Sequence, residues 1–162
     1  MPSVSVPLKG EKGWNILMQQ RRDFWAQDRH NQLSAHFLAT EFYCHDGSPC
    51  PITSRPALIR LAVVFLEPMR AKFGPCLVLS GYRHTLYNRS IGGALHSQHI
   101  YEEGFESVAS DLRFDKGTPA QWAAFARGLR ASKNNGNGGV GRYDHSGFVH
   151  VDNRGYKADW TG

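Results

Sequence analysis

Apolar positions recur with two distinct periods along this chain. Between Ser54 and Met69, the residues Leu58, Leu61, Ala62, Phe65, Leu66 and Met69 fall three and four apart, which puts them on one face of a helix. Pro56 suits the first turn of that helix, where its missing N–H is not needed, and Gly74-Pro75 closes it. The stripe reads as core. Cys76-Leu77-Val78-Leu79 is a short apolar run between turn residues and predicts a buried strand, with Ser80-Gly81-Tyr82-Arg83 at its end, where functional side chains are often carried. Thr118, Pro119 and Gln121 form a capping-box pattern that opens a helix through about Arg130, with Trp122, Phe125, Ala126 and Leu129 as its apolar members. The run from Asn134 to Gly139 predicts a turn. Gly147 to Asp152 then alternates with period two, so Phe148, His150 and Asp152 share one strand face while Val149 and Val151 share the other.

Toward the N-terminus, Ile16, Leu17, Gln20 and Phe24 recur at helical spacing and predict an amphipathic helical arm over residues 1–32, packed on a main domain over 33–162. Within Leu33–Tyr43, Thr40 ahead of Glu41, Phe42 and Tyr43 marks a short helix start, and a loop carrying Cys44 and Cys50 follows. A chain of 162 residues with 41% apolar content supports one core. The expected architecture is a single α+β domain, with helices packed on a small, mainly antiparallel sheet.

Charge and cysteine usage narrow the partners. A net charge of +5 and a pI near 9.3 favour polyanionic surroundings such as nucleic acid or an acidic cell wall. No Lys/Arg block is longer than the pair Arg21-Arg22, and no finger or basic-helix pattern appears, so specific nucleic-acid binding is not expected. The most apolar stretch, Leu58 to Leu66, is interrupted by Arg60 and is far shorter than the roughly 20 residues of a membrane span. The N-terminus lacks the charged start and apolar run of a secretory signal, which implies cytoplasmic synthesis. A monomer is expected. Cys44, Cys50 and Cys76 are an odd number, which argues against a disulfide framework and for buried or free thiols; a disulfide between Cys44 and Cys50, or a second metal site in their loop, are the alternatives.

Eight histidines are many for this length, and those near carboxylates or on ordered elements make the better ligands. His99, Asp111 and His150 stand out, because two imidazoles and one carboxylate leave a zinc ion enough positive charge to acidify a bound water. Solvated or core-satisfied histidines are the competing reading, and the spacing alone does not decide. The order of several short motifs does more. Ser80-Gly81-Tyr82-Arg83, Tyr87-Asn88, Gly92-Gly93-Ala94, His96-Ser97-Gln98-His99, Ala109-Ser110-Asp111, Gly139-Val140-Gly141 and Phe148-Val149-His150-Val151-Asp152 succeed one another in a sequence that resembles the M15 zinc peptidases. That group comprises D-alanyl-D-alanine carboxypeptidases and L-alanyl-D-glutamate endopeptidases, phage endolysins among them, and the resemblance spans roughly Leu33 to Gly162.

The resemblance implies a hedgehog/DD-peptidase-like fold and a zinc peptidase that hydrolyses peptidoglycan stem peptides, with Zn2+ held by His99, Asp111 and His150. It also implies that Arg83 pairs with a substrate carboxylate and that Ser97 lies near the substrate; an ion pair and a turn-stabilising hydroxyl are the structural alternatives. Action at the bacterial cell wall, as a phage or prophage lysin or a virion-associated enzyme, follows from the same likeness. Two departures stand out. The stretch Tyr101 to Val108 lengthens the family's SxHxxGxAxD spacing, which leaves Asp115 and Glu106 as alternative carboxylate ligands to Asp111. Where many members carry a carboxylate three residues before the last histidine, this chain has Gly147. His145, Asp144 and Asp152 are the candidates for the missing proton-transfer role, Asp152 also as a partner that orients an imidazole. Since hedgehog-type domains on this scaffold serve as ligands, a non-catalytic zinc-binding module for cell wall or a protein partner is the alternative function.

Overall fold

A computed structural model describes residues 6–101 and 107–162. The chain opens with helices α1 (Trp14–Trp25) and α2 (Asp28–Asn31), continues through 3-10 turns at Ala39–Phe42 and Ile52–Ser54, and enters α3 (Arg55–Leu61) and α4 (Glu67–Phe73). Next come β1 (Cys76–Ser80), α5 (Thr85–Ser90), β2 (Ala109–Phe114), α6 (Pro119–Lys133), β3 (Gly138–Tyr143), β4 (Phe148–Asp152) and β5 (Lys157–Thr161). The class is α+β, as the patterning predicts. The strands form one mixed sheet in the order β1-β2-β4-β3-β5, in which β1, β2, β4 and β3 pair antiparallel and β5 adds to β3 in parallel.

One sheet face makes the core. Leu112, Val140, Val149 and Val151 have no exposed surface and pack with Leu61, Phe65, Leu66 and Met69 of the α3–α4 region and with Ala123 and Ala126 of α6. The apolar stripe of residues 58–69 is therefore core, but the helix that carries it is not uniform. Between α3 and α4 the backbone takes a π turn at Ala62–Leu66, and the cause is Pro68 in the first turn of α4. Proline donates no N–H and its ring crowds the carbonyl one turn earlier, so the hydrogen-bond ladder widens there. The capping box at Thr118 forms as predicted: Gln121 N donates to Thr118 Oγ1 (3.3 Å) and Thr118 N to Gln121 Oε1 (3.0 Å). The segment near Thr40 forms only a 3-10 turn, with Leu38 N donating to Glu41 Oε2 (2.7 Å).

The N-terminal arm is helical, but its buried stripe differs from the expected one. Trp14, Met18, Arg21 and Trp25 face inward while Ile16 is 68% exposed. The two indoles bury more apolar area than Ile16 can, and Trp25 also gains a hydrogen bond from Nε1 to Cys50 O (2.8 Å), so the helix turns them inward. All three cysteines are free thiols, with Cys44 and Cys50 buried. Among the described residues no helix is long and apolar enough to cross a membrane.

Because Phe65 sits where the π turn meets the sheet, with no exposed surface, a cavity there has nowhere to collapse. Phe65→Ala should lower unfolding free energy by about 3–5 kcal/mol, read from the midpoint of a denaturant titration.

Candidate metal centre

On the polar face of the sheet one row of side chains runs across the strands. Antiparallel register sets Ser80 opposite Asp111, Asp111 opposite His150 and His150 opposite Gly141, and the parallel pair then sets Gly141 opposite Trp160. Directly opposed residues project to the same side. His99 reaches the row from the loop after α5. That loop is fixed by Arg83 N donating to His99 O (2.9 Å) and by the His99 ring donating from Nδ1 to Gly81 O (2.6 Å). Gly81 itself lies against the Phe42 backbone, where a Cβ would fall 2.6 Å from Phe42 Cα, and Tyr82 N donates to Phe42 O (2.8 Å) beside it.

Hydrogen bonds behind the imidazoles settle which nitrogens face Asp111. With Nδ1 of His99 turned to a carbonyl, Nε2 points at Asp111 Oδ2 (3.2 Å). His150 is reversed: Nε2 is held by Asp152 Oδ2 (2.8 Å), so Nδ1 points at Asp111 Oδ1 (3.0 Å). Asp152 is fully buried and is itself held by Gly139 N (2.9 Å) and by Arg154 Nε (2.8 Å) and NH2 (2.6 Å). Ligand atoms of His99, Asp111 and His150 all lie within 4.8 Å of one another, on three buried residues. Two nitrogens and a carboxylate oxygen, converging with their outer atoms already satisfied, fit the N/O donor set that a zinc-type cation takes.

Burial and the neighbours set the charges. Burial lowers the pKa of His99 and favours the neutral ring a metal needs. For Asp111, burial works upward, but hydrogen bonds from His150 and His99 outweigh it and hold the carboxyl below its ordinary range. Asp152 is likewise lowered against the effect of burial, by Arg154 and His150. Burial alone would lower the pKa of His150, yet Asp111 and Asp152 on its two sides raise it.

A cavity of about 420 Å³ opens over this row. Arg83, Ser97, His99, Asp111 and His150 line it, together with His96, Tyr143, Phe148, Arg154 and Trp160. Arg83 bonds Ser80 Oγ through NH2 (3.1 Å) and lies 3.6 Å from Asp111 Oδ2. Ser97 Oγ accepts from His99 N (3.3 Å) and so also steadies the turn. Asp144 and His145 are not brought to this cavity. They occupy the exposed β3–β4 turn, where Asp144 pairs with Arg142 (2.7 Å) and Arg113 ties down the Gly147 and Ser146 carbonyls. Gly147, at a φ of +72°, belongs to the same turn. Asp115, one of the alternative ligands, follows the far end of β2 and packs against Gly74, while Glu106 lies outside the described residues.

Tyr143, Arg154 and Trp160 escaped the sequence reading. A signal for them exists in the alternation of Gly139 and Gly141. A Cβ at Gly141 would collide with the Trp160 indole and one at Gly139 with the Asp152 carboxylate, so small residues mark where the site's larger groups lie against the sheet.

A second cluster joins Cys44 and Asp46, from the loop foreseen as an alternative metal site, to His84, which the sequence reading did not include. Its hydrogen bonds argue otherwise. Nδ1 of His84 accepts from Tyr87 N (3.3 Å) at the start of α5, so Nε2 carries the hydrogen and donates it to Asp46 Oδ2 (2.6 Å). Lys9 Nζ also donates to Asp46 (2.8 Å). The ring therefore offers a hydrogen, not a lone pair, and the cluster is a structural network linking the arm to the body.

An α+β scaffold with two imidazoles and a carboxylate converging at the floor of an open cavity has the arrangement of a hydrolytic metal centre. The sequence profile of the family described as Peptidase M15 matches residues 35–152, the greater part of the chain, and the chain belongs to that family. It is a peptidase by descent. No curated protein and no solved structure matches it.

The Asp46 network has a pH signature. Burial pushes its carboxyl up, but hydrogen bonds from His84 and Lys9 hold it far below the ordinary value. A depressed folded-state pKa gives stability that is complete above the unfolded value of about 3.9 and is lost as pH falls through the folded one. Asp46→Asn should therefore be less stable than the parent at neutral pH, and the gap should narrow as denaturant titrations are repeated below about pH 4.

Proposed function

We propose that this chain is a zinc-dependent peptidase that hydrolyses peptide bonds in peptidoglycan stem peptides. The observation that carries the reading is the convergence of His99 Nε2, Asp111 and His150 Nδ1, each imidazole fixed from behind by an acceptor. A zinc ion held by these three supplies Lewis acidity beside the scissile carbonyl. The remaining work belongs to the chain. Arg83, at the cavity wall, offers a planar guanidinium for a substrate carboxylate, and stem peptides carry several. Ser97 also lines the cavity and offers a hydroxyl to the peptide backbone. Asp152 acts through His150 and positions it; with no exposed surface it does not meet substrate. The net charge of +5 suits an anionic cell wall as the place of action.

Cleavage of defined muropeptides, followed by mass spectrometry with and without a zinc chelator, tests the reading. Amino groups should be released by the zinc-loaded protein and not after chelation. A protein that holds zinc but releases none is the non-catalytic module instead. His150→Ala should lose both metal and turnover, and full activity in that variant when stripped of zinc would overturn the proposal. Arg83→Ala should keep its zinc but lose about 10- to 100-fold in kcat/KM, as expected for one charged hydrogen-bonding anchor.

Metal uptake should also follow pH. The two carboxylates raise the pKa of His150, so the metal-free ring keeps its proton above the ordinary imidazole range, and a cation must displace that proton. Zinc affinity is therefore expected to weaken as pH falls and to level off above the raised value, with proton release visible when calorimetry is repeated in buffers of different ionisation enthalpy.

A further inference from the structure

Hydrolysing a peptide bond moves a proton twice, off the attacking water and onto the departing amine. The group that moves it must reach the cavity and have a lone pair to spare. Imidazole is the side chain most suited near neutral pH, and the chain has eight. Six have a ring nitrogen engaged: His30 with Phe24 O, His36 with Glu67, His45 with Leu79 O, His84 with Asp46, His99 with Gly81 O and His150 with Asp152. Among the described residues this leaves His96 and His145 with no ring hydrogen bond. Only His96 lines the cavity.

The other cavity groups do not compete. Asp111 belongs to the ligand set, and Asp152, behind His150, has both oxygens occupied by Gly139, Arg154 and His150. Arg83 and Arg154 do not give up protons. The Tyr143 hydroxyl already accepts from Trp160 Nε1 (2.7 Å). The backbone turn that carries His96 is also held in place. Ser97 N donates to Ala94 O (3.1 Å), which makes Leu95 and His96 the central pair of a tight turn, and Asn88 Nδ2 anchors Ala94 O (2.9 Å). Asn88 is buried, and Gly93 lies so close to its side chain that a Cβ there would collide with it. The turn's far end is fastened through His99 to Gly81 and Arg83.

We propose that His96 is the proton-transfer residue of the reaction, an inference that rests on the peptidase reading above. Its imidazole takes a proton from the water as the water oxygen bonds to the carbonyl carbon. It returns that proton to the amine nitrogen as the C–N bond breaks. The ring ends neutral, with one amine and one carboxylic acid as products and no further reactant.

The test uses the full chain loaded with zinc, a defined muropeptide, and the variants His96→Ala and His96→Gln. Both variants should hold as much zinc as the parent and show its circular dichroism, with KM changed by less than about threefold and kcat reduced on the order of 10²- to 10⁴-fold. Added imidazole should restore turnover in His96→Ala and leave the parent unaffected. Variants with kcat within about threefold of the parent overturn the inference while leaving the peptidase reading intact. So does a raised KM at unchanged kcat, which would make His96 a binding contact. Loss of activity only in step with lost zinc would reduce it to support for the ligand loop. A parent that holds zinc and cleaves no muropeptide overturns the peptidase reading itself, and His96 with it.

Discussion

Everything at the candidate centre depends on the register between β2 and β4. Asp111 meets His150 because Ala109 is opposite Asp152 and Leu112 opposite Val149, and this pairing keeps Leu112, Val149 and Val151 in the core. A slip of β4 by one residue would turn Val149 and Val151 to solvent and bury His150 and Asp152 in apolar surroundings. The hydrophobic face is thus what holds the polar face in place. Burying two valines and a leucine is worth several kcal/mol, on the order of 1.5–3 for each large side chain, enough to bring together charges that would repel or hydrate separately. The glycines opposite the site are the complement of the same register. Gly139 and Gly141 leave room for the Asp152 carboxylate and the Trp160 indole, which lie flat against β3.

Two clusters in this chain have metal-ligand residue types, and what separates them is the atom behind each imidazole. At the candidate centre those atoms are acceptors, the Gly81 carbonyl and the Asp152 carboxylate, so each ring turns a lone pair or an exchangeable proton toward Asp111. At Asp46 the atom behind His84 is a donor, the Tyr87 N–H, so the ring turns a fixed hydrogen forward. Composition and proximity alone would rank the two clusters equally. A backbone N–H at the first turn of α5 distinguishes them.

Much of this was legible in the sequence because it rests on local rules. The period-two run of Phe148 to Asp152 puts His150 and Asp152 on one face, and the structure has them there, 2.8 Å apart. The capping box at Thr118 and the stripe from Leu58 to Met69 are local in the same sense. The misses arise where a long-range contact decides. Arm residues 14–25 satisfy two apolar stripes, and only contact with the Cys50 loop selects the one holding Trp14 and Trp25. His145 looked promising by its place in the chain, but the turn that reverses β3 into β4 carries it clear of the cavity, and no local pattern reports the direction of a turn's apex. Trp160 was missed because its relation to His150 runs through a parallel pairing with β3, two strands away.

The charges around the cavity bear on the kind of substrate it takes. Two carboxylates, Asp111 and Asp152, face two guanidiniums, Arg83 and Arg154, but the pairs are unequal. Arg154 grips Asp152 through both Nε and NH2 at 2.8 and 2.6 Å, whereas Arg83 stands 3.6 Å from Asp111 and spends its short hydrogen bonds on Ser80. On the proposed reading, a divalent cation held by Asp111 would replace Arg83 as the partner of that carboxylate. The cavity lining would then carry an excess of positive charge, with one guanidinium left to meet a ligand. A low-dielectric pocket with that balance favours a ligand that brings its own carboxylate and disfavours a neutral or cationic one. On the proposed reading, Asp111 would be given over to the metal, and Arg83 would be left to recognise the acidic end of the peptide.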